Sequence, residues 1–84
     1  MTLVDTIQLV AMDRDGRSVL AVNVRTARRL RGLTQEDLAA LSGINRAYLS
    51  EIEHRKRNIG LDCLTQLARA LRMPLADLLR ESRP

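Results

Sequence analysis

The stretch LTQEDLAALSGINRAYLSEIE, residues 33–53, predicts two short helices that meet across a tight turn. Thr34 begins the first helix and is followed three residues later by Asp37, which is the capping-box pattern. Two helices that cross steeply through so short a connection need a glycine where the backbone becomes left-handed and a small residue where they approach closely. Gly43 and Ala39 occupy those places, so this stretch predicts a helix pair of defined geometry.

The second helix of the pair is predicted from Asn45, a favourable N-cap, to about His54. At about 100° per residue, its polar outward face consists of Arg46, Ala47, Ser50 and His54, and its inward side consists of Tyr48, Leu49 and Ile52. Glu53 lies at the boundary between the two sides, and Glu51 flanks the outward face. Three roles stay open for Glu51: repelling misplaced phosphates, accepting from a cytosine amino group, or holding a neighbouring arginine.

A polar helix face held outward from a small domain suits the major groove of DNA. The groove admits one helix, and each base pair displays its own pattern of donors and acceptors there. Arg46 is placed to contact guanine, and the small side chains of Ala47 and Ser50 would let the helix lie deep. The basic run that follows, Arg55, Lys56 and Arg57, predicts phosphate contacts beside the groove, with a solvated loop as the alternative.

Three further helices complete the predicted domain. Ser18 can cap a helix that runs to about Arg31, in which Leu20, Val24 and Ala27 share one face. Residues 61–71 place leucines at helical spacing, and Pro74 suits the first turn of a last helix that carries Leu75, Leu78 and Leu79. The expected fold is all-α, a compact five-helix domain over residues 18–84.

Residues 1–17 form a separate segment in this prediction. Their apolar positions favour a short helix or an arm, and the sequence DRDG at residues 13–16 leaves open a strand that enters a turn. Gly16 is expected to interrupt the helical pattern.

Charge favours an anionic partner. The chain has 84 residues, a net charge of +4 and a single lysine among its fourteen basic residues. Residues 1–17 hold three acids and two bases, so the remainder carries +5. Arginine is the residue whose planar fork suits phosphates and base edges, so the basic part of the chain suits a nucleic acid.

The composition favours a binding protein over an enzyme. One cysteine, Cys63, and one histidine, His54, allow neither an internal disulfide nor a cluster at metal-ligand spacing, and no catalytic constellation is present. We therefore expect no cofactor and no metal. The chain lacks the features of a signal peptide or a membrane span, which predicts a soluble cytoplasmic protein.

The helix pair and the segment RNIGLDCLTQLARALRMPLADLL that follows it resemble the lambda-repressor and Cro-like helix-turn-helix DNA-binding domains. The likeness covers residues 20–79. Within that family the sequence is most similar to the small controller proteins of restriction-modification systems, on the basis of RAYLSEIE followed by RN.

The resemblance assigns roles to individual residues. Gln35 would contact the DNA backbone, Tyr48 would contact the backbone or the core, and Glu53 would pair with Arg28 of the first helix. The last helix would supply a dimer surface through Leu75, Leu78 and Leu79. With the basic run, the expected DNA-binding residues are Gln35, Asn45, Arg46, Ala47, Tyr48, Ser50, Arg55, Lys56, Arg57 and Asn58.

Two positions depart from the family pattern. Arg55 stands where the family commonly has the glycine that ends the second helix of the pair, so this helix either runs on or ends in a costlier left-handed cap. Gly60 replaces the usual serine or threonine before the fourth helix and is a weaker cap.

Together these features predict a sequence-specific regulator of transcription that binds double-stranded DNA as a homodimer. Its operator would be near-palindromic, and binding at a promoter would exclude or recruit RNA polymerase. An antitoxin-type module is the alternative: residues 1–17 would bind a toxin protein while the helix-turn-helix represses its own operon.

Overall fold

A computed structural model describes residues 15–81 of the chain. These residues form five helices: α1 (Gly16–Leu30), α2 (Gln35–Ser42), α3 (Arg46–Glu53), α4 (Leu61–Ala70) and α5 (Leu75–Leu78). No residue in this range is in a strand. The expected all-α fold with five helices is thereby confirmed, whereas the predictions for residues 1–14 lie outside the described part of the chain.

The helix starts follow local capping chemistry. In α2, the Thr34 hydroxyl accepts from the Asp37 N–H at 3.0 Å and the Asp37 carboxylate accepts from the Thr34 N–H at 2.9 Å, so the predicted capping box is present. In α1, the cap is Asp15, whose carboxylate accepts from the Arg17 N–H at 3.0 Å. The prediction that Ser18 caps this helix was wrong, because Asp15 is an equally good cap three residues earlier.

The turn between α2 and α3 has the predicted backbone. Gly43 is left-handed, with φ of 74°, and its N–H donates to the Ala39 carbonyl at 2.9 Å. Glycine adopts this conformation without the steric penalty of a Cβ atom. The Ser42 hydroxyl, buried at the same turn, donates to the Leu38 carbonyl at 2.7 Å. The angle between α2 and α3 therefore follows from the residues at the turn.

Two other helices end in a left-handed residue that is not glycine. Arg55 follows α3 with φ of 64°, and Arg72 follows α4 with φ of 53°. After α3, the Lys56 N–H donates back to the Glu51 carbonyl at 2.9 Å, which closes a Schellman motif. Of the two outcomes expected at Arg55, the structure has the costlier left-handed cap, and α3 does not run on.

One apolar core lies between the helices, and every helix contributes to it. α1 packs on α3 and α5, α2 packs on α3 and α4, and α4 packs on α5. The large side chains that are fully buried are Val24, Leu38, Leu49, Ile52, Leu67, Leu71 and Leu78. Burying a leucine or isoleucine side chain contributes about 1.5–3 kcal/mol to the free energy of folding, so α3 is held by its underside.

The leucines of the last helix divide between core and surface. Leu78 is fully buried and packs inside the monomer, which corrects its assignment to a dimer surface. Leu75 and Leu79 remain 37% and 51% exposed. The amide of Asn23 in α1 donates to the carbonyls of Leu78 and Arg80, both at 2.8 Å, and so holds the end of α5 against α1.

Candidate nucleic-acid interface

α3 presents a polar face to solvent and buries the opposite face. Arg46 and Ala47 are exposed, and Ser50 is half-buried. Leu49 and Ile52 lie beneath them in the core. The outward residues predicted from the sequence thus share one side of one helix, as contact with a groove would require.

Asn45 has a structural role at the start of α3. Its carboxamide oxygen accepts from the N–H groups of Ala47 and Tyr48, at 2.8 Å and 3.3 Å. These bonds satisfy two of the helix's free N-terminal donors. The oxygen is therefore occupied in the free protein, and the amide nitrogen is the group that Asn45 can offer to a ligand.

Arg46 is the most prominent cation on this face. Its side chain is 60% exposed, and its Nε lies 3.8 Å from a carboxylate oxygen of Glu36 in α2. Exposed pairs of this kind contribute between zero and about 1 kcal/mol. A stronger acceptor, such as a guanine edge or a phosphate, can therefore replace Glu36 at little cost.

A buried ion pair fixes α3 to the helices behind it. Glu53 is 4% exposed, and its carboxylate accepts from Nε and Nη2 of Arg28 at 2.9 Å and 3.0 Å. The Nη1 of Arg28 donates to the Leu33 carbonyl at 2.9 Å. The pair inferred from the family resemblance is therefore present, and it joins the end of α3 to α1 and to the α1–α2 turn.

Gln35 joins the same polar cluster. Its amide nitrogen donates to Glu53 at 3.3 Å, which braces the start of α2 against the end of α3. The amide has a second hydrogen for a phosphate. The structure thus places Gln35 as a brace, and its backbone contact stays a prediction.

The loop after α3 folds back over the helix. The Nε of Arg57 donates to the Glu51 carboxylate, and the guanidinium carbon of Arg57 lies 5.2 Å from the centroid of the Tyr48 ring. The hydrogen bond with Glu51, and then its charge, raise the pKa of the Arg57 guanidinium. Of the three roles left open for Glu51, the structure contains the third, which is holding a neighbouring arginine.

Asn58 ties this loop to two helices. Its backbone carbonyl accepts from the Tyr48 hydroxyl at 3.0 Å, and its side-chain oxygen accepts from Nε of Arg17 in α1 at 2.7 Å. Arg55 and Lys56 are exposed on the outer side of the loop. The predicted basic loop is therefore partly fixed. Arg57 and Asn58 are hydrogen-bonded to the helices, whereas Arg55 and Lys56 extend into solvent.

Sequence reasoning missed two other contacts made by α1. Arg17 reaches Asn58, and the Arg25 guanidinium donates to the Glu53 carbonyl at 3.2 Å. These partners are 41 and 28 residues apart, so no local pattern could have indicated them.

The remaining reactive side chains do not form a site of their own in the described range. His54 is exposed, with Nδ1 2.7 Å from the Ser50 carbonyl oxygen. Burial raises the pKa of the half-buried Cys63 thiol, which disfavours the reactive thiolate. Residues 15–81 contain no group of three potential metal ligands and no helix long and apolar enough to cross a bilayer.

Comparisons with known proteins agree with this geometry. The model of a helix-turn-helix family matches residues 24–78. Control protein C.SmaI of Serratia marcescens is 42% identical over 65 residues, which cover 77% of each chain. The crystal structure of the hypothetical transcription factor NHTF from Neisseria superposes with a TM-score of 0.78 at 39% identity, covering 80% of this chain and 77% of that one.

A second solved structure leads to the same family. The restriction-modification controller protein C.AhdI from Aeromonas hydrophila superposes with a TM-score of 0.72 at 35% identity, covering 74% of this chain and 94% of that one. The exposed face of α3, its buried support and these relatives agree, and the chain belongs to the helix-turn-helix family of DNA-binding transcriptional regulators.

Proposed function

We propose that this protein binds a specific, near-palindromic operator as a homodimer and controls transcription from it. The observation that carries the proposal is the outward face of α3, with Arg46 and Ala47 exposed and Ser50 beside them on a helix that Glu53 and Arg28 hold in place. Two such helices related by a two-fold axis would enter successive major-groove faces, about 34 Å apart.

Within each half-site, the residues divide between bases and phosphates. Arg46 would donate to guanine, which offers two acceptors on its groove edge, and Ala47 and Ser50 would allow close approach. Gln35, Asn45, Arg55, Lys56 and Arg57 would contact the sugar-phosphate backbone and set the register. The same proposal takes Tyr48 and Asn58 as residues that shape this surface, since both hold the loop after α3.

Dimerisation would use the exposed leucines of α5. Leu75 and Leu79 are partly exposed while Leu78 belongs to the core, so the proposed contact consists of the outer side of this short helix. A dimer that forms only above a threshold concentration would let the protein control its own synthesis. Binding at a promoter would then exclude or recruit RNA polymerase, as a controller of a restriction-modification system would need.

Selection of bound sites from a random pool of duplexes tests the proposal. A homodimer predicts an enriched site with two-fold symmetry and half-site centres one helical turn apart. An enriched site without symmetry would contradict the homodimer, and the absence of any enriched site would contradict specific binding.

A further inference from the structure

We propose that Glu51 is a positioning residue that holds Arg57 ready to bind a DNA phosphate beside the N-terminal half of α3. The inference rests on the proposed function, since it concerns how the same surface binds DNA. By this proposal, Arg57 makes a defined phosphate contact and is not equivalent to Arg55 and Lys56. Glu51, although acidic, would then favour the binding of DNA.

The backbone brings Arg57 back along the helix it has just left. The left-handed conformation of Arg55 and the bond from the Lys56 N–H to the Glu51 carbonyl reverse the chain at the end of α3. The guanidinium of Arg57 consequently lies over the ring of Tyr48, which is in the first turn of α3. Arg57 is therefore close to the end of the helix where Arg46 and Ala47 are exposed.

Separate contacts restrain the guanidinium. Its Nε donates to Glu51, and its face lies over the Tyr48 ring. The ring in turn is fixed, because the Tyr48 hydroxyl donates to the Asn58 carbonyl at 3.0 Å and Arg17 holds the Asn58 side chain at 2.7 Å. Tyr48 and Glu51 are three residues apart on α3 and so adjoin on its surface.

The edge of the guanidinium that binds phosphate best is left available. Among residues 15–81, no acceptor contacts Nη1 or Nη2 of Arg57, and the side chain is 52% exposed. A guanidinium held at Nε and at its face can still present its two Nη groups to two phosphate oxygens at once. Holding the side chain in advance reduces the rotamer entropy that it would lose on binding.

A purely electrostatic role for Glu51 predicts the opposite sign. A carboxylate near a polyanion repels it, so removing the carboxylate would tighten binding. Glu36 provides the matched control, because it is also an exposed carboxylate beside an arginine of this face, but at 3.8 Å and without a ring beneath that arginine.

The experiment compares Glu51→Ala with Glu36→Ala on a selected operator and on a random duplex, after thermal unfolding has checked that each variant is folded. Positioning predicts that Glu51→Ala weakens binding to both duplexes about three- to tenfold, in the range of couplings between contacting residues. Glu36→Ala should bind at least as well as the wild-type protein. Tighter binding by Glu51→Ala would overturn the proposal, and so would a loss confined to the operator, since that would indicate a base contact.

A double-mutant cycle isolates the coupling. In an Arg57→Ala background, Glu51→Ala should no longer weaken binding, and a loss that persists there would also refute positioning. Arg57→Ala alone should lower the slope of log affinity against log salt by about one. If Glu51→Ala does not fold, Glu51→Met keeps much of the side chain's length without an oxygen acceptor for the Arg57 Nε and serves in the same comparison. Failure of the wild-type protein to bind duplex DNA would refute the proposed function itself, whereas binding without these effects would refute only the role of Glu51.

Discussion

Replacing Arg55 by glycine should stabilise the protein, although it removes a charged side chain from a surface proposed to bind DNA. Arg55 has φ of 64°, where a side chain's Cβ approaches the following carbonyl oxygen. That conformation costs an L-residue about 1–2 kcal/mol relative to its favoured regions. Glycine removes this cost. It also gives the unfolded chain more conformational entropy, which lowers the free energy of the unfolded state by about 0.4–1 kcal/mol. The expected net gain in the free energy of unfolding is thus about 0–1.6 kcal/mol, and about 0.8 kcal/mol at the middle of both ranges.

Thermal unfolding measures this gain. For a domain of this size, about 1 kcal/mol shifts Tm by about 4–8 °C, so Arg55→Gly should raise Tm by several degrees at a fixed protein concentration. Arg55→Ala separates the causes: it removes the same charge but keeps a Cβ at positive φ, so it should give little gain. A Tm for Arg55→Ala as high as that for Arg55→Gly would show that charge repulsion, and not backbone strain, was relieved.

Arg72 offers a matched control at the end of α4. Its φ is 53° and its carbonyl accepts from Arg31 at 3.1 Å, so Arg72→Gly relieves the same strain at a different helix end. Both glycine variants should be more stable, but only Arg55→Gly should weaken DNA binding and lower its salt dependence. A lower Tm for Arg55→Gly would refute the reasoning about its backbone.

Three further predictions concern the support of α3, the cap of α2 and the surface of α5. Glu53→Gln should lower the free energy of unfolding by about 3–5 kcal/mol, measured by urea denaturation, because it leaves Arg28, whose side chain is only 11% exposed, without its ion-pair partner; a loss below about 1 kcal/mol would contradict the role given to this pair. The capping box lowers the pKa of Asp37, mainly through hydrogen bonds with Thr34, so its contribution to stability is complete above the ordinary pKa of 3.8 and is lost as pH falls through the lower pKa of the folded state. Asp37→Asn should remove this part of the decrease in Tm at acid pH. If Tm decreased at acid pH as much in the variant as in the wild-type protein, the cap would not contribute to stability. Leu79→Arg should give a folded monomer by light scattering, whereas Leu78→Ala should cost about 2–5 kcal/mol of stability because it leaves a cavity in the core; a Leu79→Arg protein that stays dimeric would move the dimer surface away from α5.

The sequence predicted best those features that depend on neighbouring residues. The capping box at Thr34, the N-cap at Asn45 and the left-handed Gly43 each follow from chemistry within a few positions, and the structure has all three. The start of α1 was mispredicted because Asp15 and Ser18 are both good caps. Local sequence does not decide between them, and the structure places Gly16 inside the helix.

The sequence did not predict features that depend on how the helices pack and how the chain reverses between them. α5 is a single turn of four residues, too short for periodicity to indicate which leucine faces inward, and Leu78 was buried while Leu79 was not. The pairing of Glu51 with Arg57 depends on the chain reversal at Arg55, which helical spacing does not describe. Only the family resemblance, and no pattern in the residues, indicated the pair of Arg28 with Glu53.

We expect α3 to distinguish base pairs through Arg46, and a comparison of affinities on two duplexes can show whether it does. The dissociation constants of the wild-type protein and Arg46→Ala are measured on the selected operator and on a random duplex at one salt concentration. Base recognition by Arg46 predicts a loss of about 1–3 kcal/mol on the operator and a much smaller loss on the random duplex. Equal losses on both duplexes would show that Arg46 contacts only phosphate and would contradict base recognition through this residue.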